Sequence, residues 1–288
     1  MIISKKEIER LSADVRKIID GQEIDLRDNR EGVWSILKND IYTLASLKSE
    51  QVDALGRERD MLKDTLADIS HQIKTPLTSM GIMADLIENA PSEKQSEFIA
   101  NIRQSLDRTE WLVSTLLRMA KLEAGAIEFS RAPISSAALI GLAAEPLQTL
   151  LDMKNQRIVA DGEANLLCDS RWTAEALSNV LKNASEHSPY NSALYIQAGA
   201  NPMCSWISVK DSGSGLAKAE IASLFKRFQG SRADIGYGIG LPLALAIMRS
   251  QNGDIEVDAG GAGVDARGVE VDARGVDSGA TFTLKFFK

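Results

Sequence analysis

The sequence predicts a multidomain chain: an α-helical hairpin that pairs with a second copy as a dimeric four-helix bundle, followed by an α+β sandwich domain. Three observations carry that prediction. Apolar residues recur at spacings of three and four from Val33 toward Asn89, and again from Phe98 to Met119. From about Ile127 onward, short β-rich runs alternate with helical ones, the pattern of one sheet covered by helices. Only 5% of the residues are aromatic, and abundant Leu, Ala, Glu and Lys lean the rest toward helix.

The first element is a helix over residues 3–20, where Ile8, Leu11, Val15 and Ile18 share one face. Gly21 ends it, and "QEIDLRDNREG" reads as an extended connector. A second helix begins near Val33, with Leu37, Ile41, Leu44, Val52, Leu55, Leu62, Leu66 and Ile69 in its seam, and continues past Pro76. A seam sustained that long predicts a homodimer. Asn89 and Pro91 mark a turn, and a third helix carries Phe98, Ile102, Trp111, Leu112, Leu116 and Met119 before ending near "LEAGA". The β-rich runs that follow are "AIEFS", "QRIVADG", "NLLCDS", "ALYIQAGA", "CSWISVKDS" and "TFTLKFF". Between them lie helical runs "SSAALIGLAAEPLQTLL", "RWTAEALSNVLKNASEH", "AEIASLFKRF" and "GLPLALAIMRSQ". The expected domains are 1–50, a helical relay or linker; 51–126, the helical hairpin; and 127–288, the α+β domain.

The 288 residues suffice for two or three cores. A net charge of -7 argues against a nucleic-acid partner held by a broad basic surface. Cys168 and Cys204 are too few for a disulfide framework and read as small buried hydrophobes. The most apolar stretch, "ISSAALIGLAAEPL", is short and interrupted by Glu145, and "MIISKKEIER" turns charged at once, so a cytoplasmic chain is expected. Near the end, "VDAGGAG", "VDARGVE", "VDARG" and "VDSGA" begin at 257, 264, 271 and 276. One match to a calcium-roll unit cannot build a stacked roll, so the expectation is a hairpin loop lengthened by duplication.

Four stretches carry chemistry. In "DISHQIKTPLTSM", Pro76 withholds a donor from the Gln72 carbonyl and should bend the helix one turn after His71, at a local cost of about 3 kcal/mol. That leaves an exposed imidazole with Gln72 beside it and the Thr75 hydroxyl one turn along the same face. An imidazole whose other nitrogen is held is a good nucleophile near neutral pH. "LSNVLKNASEHSP" puts Asn179, Asn183 and His187 on one helical face, where amide oxygens suit Mg²⁺. "VKDSGSGL" ends a β-run in Asp211, Gly213 and Gly215, a carboxylate able to accept from an exocyclic amine beside backbone that can come close. "GYGIGLPLALAIM" opens a helix with Gly236, Gly238 and Gly240, a phosphate site by its backbone amides. The spacing is not that of the dinucleotide fingerprint.

In that order the stretches closely resemble the cytoplasmic part of bacterial sensor histidine kinases of two-component systems, from about residue 55 to the end. "SHQIKTPLTSM" looks like the H box, which implies that His71 is the phosphoacceptor. "NVLKNASEHSP" resembles the N box, implying that Asn183 binds Mg²⁺ while Asn179 and His187 help hold ATP. "DSGSGL" resembles the G1 box, so Asp211 would recognise adenine. "LFKRF" resembles the F box (Phe225 and Phe228), with Arg227 implied to help hold the nucleotide, and "GYGIGL" the G2 box; the fold implied for 127–288 is the ATP-binding one of the histidine kinase and gyrase type. Residues 3–50 resemble a HAMP-like relay, which implies an upstream sensor or membrane segment outside this chain. Two departures stand out: Gln72 occupies the place of an acid, and Glu186 that of a lysine. Gln can orient an imidazole but cannot take its proton.

The expected activity is a homodimeric, ATP- and Mg²⁺-dependent protein histidine kinase that hands its phosphoryl group to the receiver domain of a response regulator. Thr75 is the candidate for orienting water in the reverse, phosphatase reaction. The rivals are a nucleotide-regulated scaffold or phosphatase, favoured by Gln72 and Glu186, and a plain ATPase, against which the H box argues.

Overall fold

The computed structural model describes residues 4–19, 25–26, 33–88, 90–228, 238–259 and 279–288. Its contacts divide into two units, Met1–Ser70 and His71–Lys288, with the division inside one long helix. Most of the connector at 21–32 and the repeats from 260 to 278 lie outside the described residues.

In the first unit, helix α1 spans Lys5–Ile19. Ser4 starts it with a reciprocal cap, its backbone N–H donating to Glu7 Oε2 at 2.9 Å while the Glu7 N–H donates to Ser4 Oγ at 3.3 Å. Helix α2 then runs over Val33–Ile87 with Pro76 inside it. Of its seam, Leu44, Val52, Leu55, Leu62 and Leu66 are exposed in the single chain.

In the second unit, α2 ends at Ile87 and α3 spans Ser92–Glu123. Gln95 Nε2 ties the turn by donating to the Ala90 carbonyl at 3.0 Å. Two crossed bonds finish α3, Gly125 N–H to Leu122 O and Ala126 N–H to Lys121 O, both 3.0 Å.

The sandwich follows. A two-stranded sheet pairs β1 (Ala132–Ser135) antiparallel with β3 (Asn165–Cys168). The main sheet has the order β2-β4-β5-β7-β6, from Arg157–Asp161, Ala193–Ala200, Cys204–Lys210, Thr281–Phe287 and Gly253–Asp258. Among the described residues only β2 and β4 pair parallel within it. One face alternates into the core through Ile196, Ile207, Val209, Phe282, Leu284 and Ile255. Against that face pack α4 (Ser136–Ala144), α6 (Ser170–His187) and α8 (Gly240–Ser250), which contribute Leu139, Leu177, Leu181, Ala184, Leu243 and Ile247. Short helices α5 (Gln148–Met153) and α7 (Lys218–Leu224) complete the order. Cys168 and Cys204 are free and buried, as expected.

Three details depart from the sequence reading. "AIEFS" forms no strand, because Ile127 and Phe129 pack into the core and the Ser130 N–H donates to Asp169 Oδ2 at 2.9 Å instead of to a ladder. The single helical run after Ser135 is broken at Pro146, where the short 3₁₀ turn Glu145–Leu147 separates α4 from α5. Strand β6, absent from the sequence reading, runs into the first repeat through Val257 and Asp258 and pairs antiparallel with β7.

Candidate active site

Three of the four motifs meet on α6. Asp169 caps its start, Oδ1 accepting from the N–H groups of Arg171 and Trp172 at 3.1 and 3.2 Å. Its spacing of four then sets Asn179, Asn183 and His187 along one stripe. Asn179 Nδ2 donates to the Glu175 carbonyl at 3.0 Å. That turns its oxygen toward α8, where a Cβ at position 240 would lie 2.9 Å from Asn179 Oδ1. Glycine at 240 is what lets the helices approach this closely. Asn183 is half-buried, and His187 is exposed one turn further on. The Asn183 amide oxygen is a hard donor that fits Mg²⁺, an ion that takes few protein ligands and fills its shell from phosphates and water.

Asp211 follows β5 and is only 4% exposed. Its Oδ1 accepts two backbone N–H groups, from Gly213 at 2.8 Å and from Ala280 at 3.2 Å. Among the described residues no group donates to Oδ2. Burial pushes the Asp211 carboxyl above the usual range; the two N–H groups and the His187 and Lys210 charges pull it back less strongly. The neighbouring Ser212 is clamped to the end of α6: its N–H donates to Ser188 Oγ at 3.0 Å and its hydroxyl to the Ala193 carbonyl at 2.7 Å. Gly213 lies against the His187 carbonyl, which a Cβ would meet at 2.7 Å.

Among the described residues no side chain caps the first turn of α8, and Pro242 has no N–H, so the amides of Gly240 and Leu241 keep the partial positive charge of a helix start. Gly215 and Gly238 both take positive φ, +76° and +64°. The Phe228 N–H donates to the Gly238 carbonyl at 3.1 Å, joining the two ends of residues 229–237. Gly236 is among those residues and lies outside the described ones. Phe225 and Phe228 pack on the core, whereas Arg227 forms an ion pair with Glu123 at the end of α3. Burial lowers the Arg227 guanidinium pKa.

His71 and Thr75 are exposed on α2, and Thr75 Oγ1 donates to the His71 carbonyl at 3.1 Å. Gln72 is half-buried and Pro76 buried. No hydrogen bond or ion pair among the described residues joins His71 to Asn179, Asn183 or Asp211. The motifs of the sandwich thus share α6 as a support, whereas His71 is carried by α2.

Glu186 is half-buried rather than aimed freely outward, with Lys182 Nζ 3.8 Å from Oε1. Lys154 Nζ donates to the Ser185 and Glu186 carbonyls at 2.6 and 3.3 Å. Burial raises the Glu186 pKa despite both cations.

Sequence reasoning missed the contacts between α3 and α6. Arg118 Nη1 bonds Glu175 Oε1 at 2.6 Å, and Lys182 Nζ sits 6.0 Å from the Trp111 ring centre. A cleft of about 410 Å³ lies there, lined by Trp111, Arg118, Arg171, Glu175, Asn179 and Lys182. The 57 residues separating Arg118 from Glu175 leave no periodic signal to find.

With this geometry in place, two families match the chain. Residues 61–125 match the His Kinase A (phospho-acceptor) domain, and residues 168–288 the Histidine kinase-, DNA gyrase B-, and HSP90-like ATPase. The signal transduction histidine-protein kinase BaeS of Escherichia coli is 25% identical over 254 residues, covering 85% of this chain and 54% of that protein. The chain therefore spans about half the length of this curated relative. Among solved structures, full-length ShkA in complex with AMPPNP aligns with a TM-score of 0.55 at 26% identity, over 77% of this chain and 45% of that one. The histidine kinase ThkA, in complex with the response regulator protein TrrA, aligns with a TM-score of 0.61 at 18% identity, over 84% and 66% respectively, and supports the fold. No helix among the described residues is long and apolar enough to cross a membrane.

Proposed function

We propose, since the chain belongs to the sensor histidine kinases, that it autophosphorylates His71 from ATP and passes the phosphoryl group to an aspartate of a response regulator. The observation that carries this reading is α6 as a common support: Gly240 lies against Asn179 in its middle, and Gly213, which donates to the Asp211 carboxylate, lies against the His187 carbonyl at its end, in a chain that exposes His71 on a separate helix. The buried Asp211 carboxylate accepts from the adenine amine, and the uncapped start of α8 receives phosphate oxygens. Asn183 holds Mg²⁺, which when bound neutralises charge on the phosphates. His71 Nε2 attacks the γ-phosphorus, an N–P bond forms, the bond to the β-γ bridging oxygen breaks, and ADP leaves. The imidazole proton goes to solvent or to an acid other than residue 72, since a carboxamide is no base. In the second step a regulator carboxylate attacks phosphorus, the N–P bond breaks, and a proton returning from solvent to the imidazole restores neutral His71.

Assembly is part of the proposal. Leu77, Ile82 and Leu86 on α2, and Ile99, Leu106 and Leu117 on α3, are all exposed in the single chain. Helices patterned this way bury such side chains against a second hairpin. The kinase works in the cytosol, where ATP is available, and residues 1–50 relay a signal from an upstream sensor or membrane segment. Thr75, one turn from His71, orients the water that hydrolyses the regulator's aspartyl phosphate.

Incubation with γ-labelled ATP and Mg²⁺ tests the reading. Label that survives base, is lost in acid and is absent from His71→Gln supports it. Gln72 favours one second reading, a nucleotide-regulated scaffold or phosphatase. That reading takes over if ATP binds and no label reaches His71.

A further inference from the structure

The adenine-side carboxylate is not held by its own motif alone. Asp211 N–H donates to the Ala280 carbonyl at 3.0 Å, and the Ala280 N–H returns to Asp211 Oδ1. The turn before β7 therefore grips both the backbone and the side chain of Asp211. The grip is tight: a Cβ at position 279 would lie 1.8 Å from the Asp211 carbonyl oxygen and 2.9 Å from Oδ1. No L-side chain fits there without the turn withdrawing, and withdrawal would take the Ala280 N–H off the carboxylate. The other described end of the repeat-bearing connection touches the same motif, since the Leu216 N–H donates to the Ala259 carbonyl at 2.9 Å. Residues 259 and 279–280 thus brace the stretch Asp211–Leu216 at both of its ends.

We propose that Gly279 and Ala280 are positioning residues for base specificity. With Oδ1 occupied by the Gly213 and Ala280 N–H groups, Oδ2 is left as the acceptor that selects a base bearing an exocyclic amine. The inference rests on the assignment of Asp211 to adenine. Loss of the Ala280 N–H frees the carboxylate to rotate, so Oδ2 ceases to face one direction and the preference for an amino base over a carbonyl base weakens. A site that hydrogen-bonds a substrate amine discriminates strongly against an analogue lacking it, because its polar group is then left unpaired.

The test compares ATP with ITP, whose base carries a carbonyl where adenine carries the amine. Titration calorimetry on the full chain at fixed Mg²⁺ should show ATP preferred at least tenfold by the wild type. In Gly279→Ala, and in Ala280→Pro, which deletes the donor, the preference should fall to about twofold or less, with ITP affinity within twofold of wild type. An unchanged ratio in Ala280→Pro overturns the inference. So does an equal loss of both nucleotides in the two variants, which would make the turn merely structural. A wild type that does not prefer ATP would instead sink the assignment of Asp211 itself, and this inference with it.

Discussion

Asp211 carries a conflict between stability and binding. Its pKa is raised chiefly by burial, so the folded state binds a proton more readily than the unfolded chain does. By linkage, stability is fully present below 3.8, the ordinary value, and is lost as pH rises through the raised folded value. Above that window the nucleotide-free protein holds a carboxylate it would rather protonate. Asp211→Asn should therefore melt higher than wild type near pH 8, and the gap should close as the buffer is taken down toward pH 4. The same variant should bind ATP roughly thirtyfold more weakly, because a charge-assisted hydrogen bond contributes about 2 kcal/mol. A lower melting point near pH 8 would show that the two backbone donors outweigh the burial. A second prediction concerns Gly240. Gly240→Ala should lose about 1 to 2 kcal/mol in denaturant titration by pressing on Asn179 Oδ1, and adding Asn179→Ala should return most of it. Asp211 and Gly240 could be singled out from their motifs as candidate base and phosphate contacts. Gly279 could not, because a glycine in the last repeat before a strand looks like any turn until its nearest backbone atom is known.

Among the elements, the pieces with a period of their own were legible. Helices α1, α2 and α3 and strands β4, β5 and β7 lie where spacing placed them, since each buries one stripe or one alternate set of residues. The failures came where a segment's partner is distant. "AIEFS" has strand-like composition, yet its polar group is satisfied by Asp169, 39 residues away from Ser130. The α3–α6 contact is of the same kind and yields a third prediction. Arg118 and Glu175 are partly exposed, their side chains 39% and 29% accessible, so the pair contributes about 0.5 to 1 kcal/mol. Arg118→Glu should raise amide exchange along residues 112–122 about three- to tenfold, by loss of the pair and a new repulsion with Glu175. Adding Glu175→Arg should restore protection. Exchange unchanged in the single variant would mean that Leu112, Met119 and Leu122, all buried in the core, hold α3 in place unaided.

Over the whole molecule the exposed apolar surface is the fact that needs an explanation. Buried hydrophobic side chains dominate the described residues from 132 to 288, whereas along α2 and α3 Leu62, Leu66, Leu77, Leu106 and Leu117 are each more than half exposed. A chain with a net charge of -7 and such helices would present apolar stripes to water unless a second copy covered them. In the proposed twofold assembly each substitution would count twice. Covering one leucine contributes about 1.5 to 3 kcal/mol, so Leu117→Glu removes two such contributions per dimer and sets two carboxylates in the interface. The dissociation constant should rise at least a hundredfold, which sedimentation at micromolar concentration reads directly. ATP affinity should stay within twofold, because Leu117 lies on α3 while Asn183 and Asp211 belong to the sandwich. A Leu117→Glu protein that sediments as wild type would show that the stripe on α3 is not the seam. Lost ATP affinity in that variant would show instead that α3 supports the nucleotide pocket itself, through the packing of Met119 and Leu122.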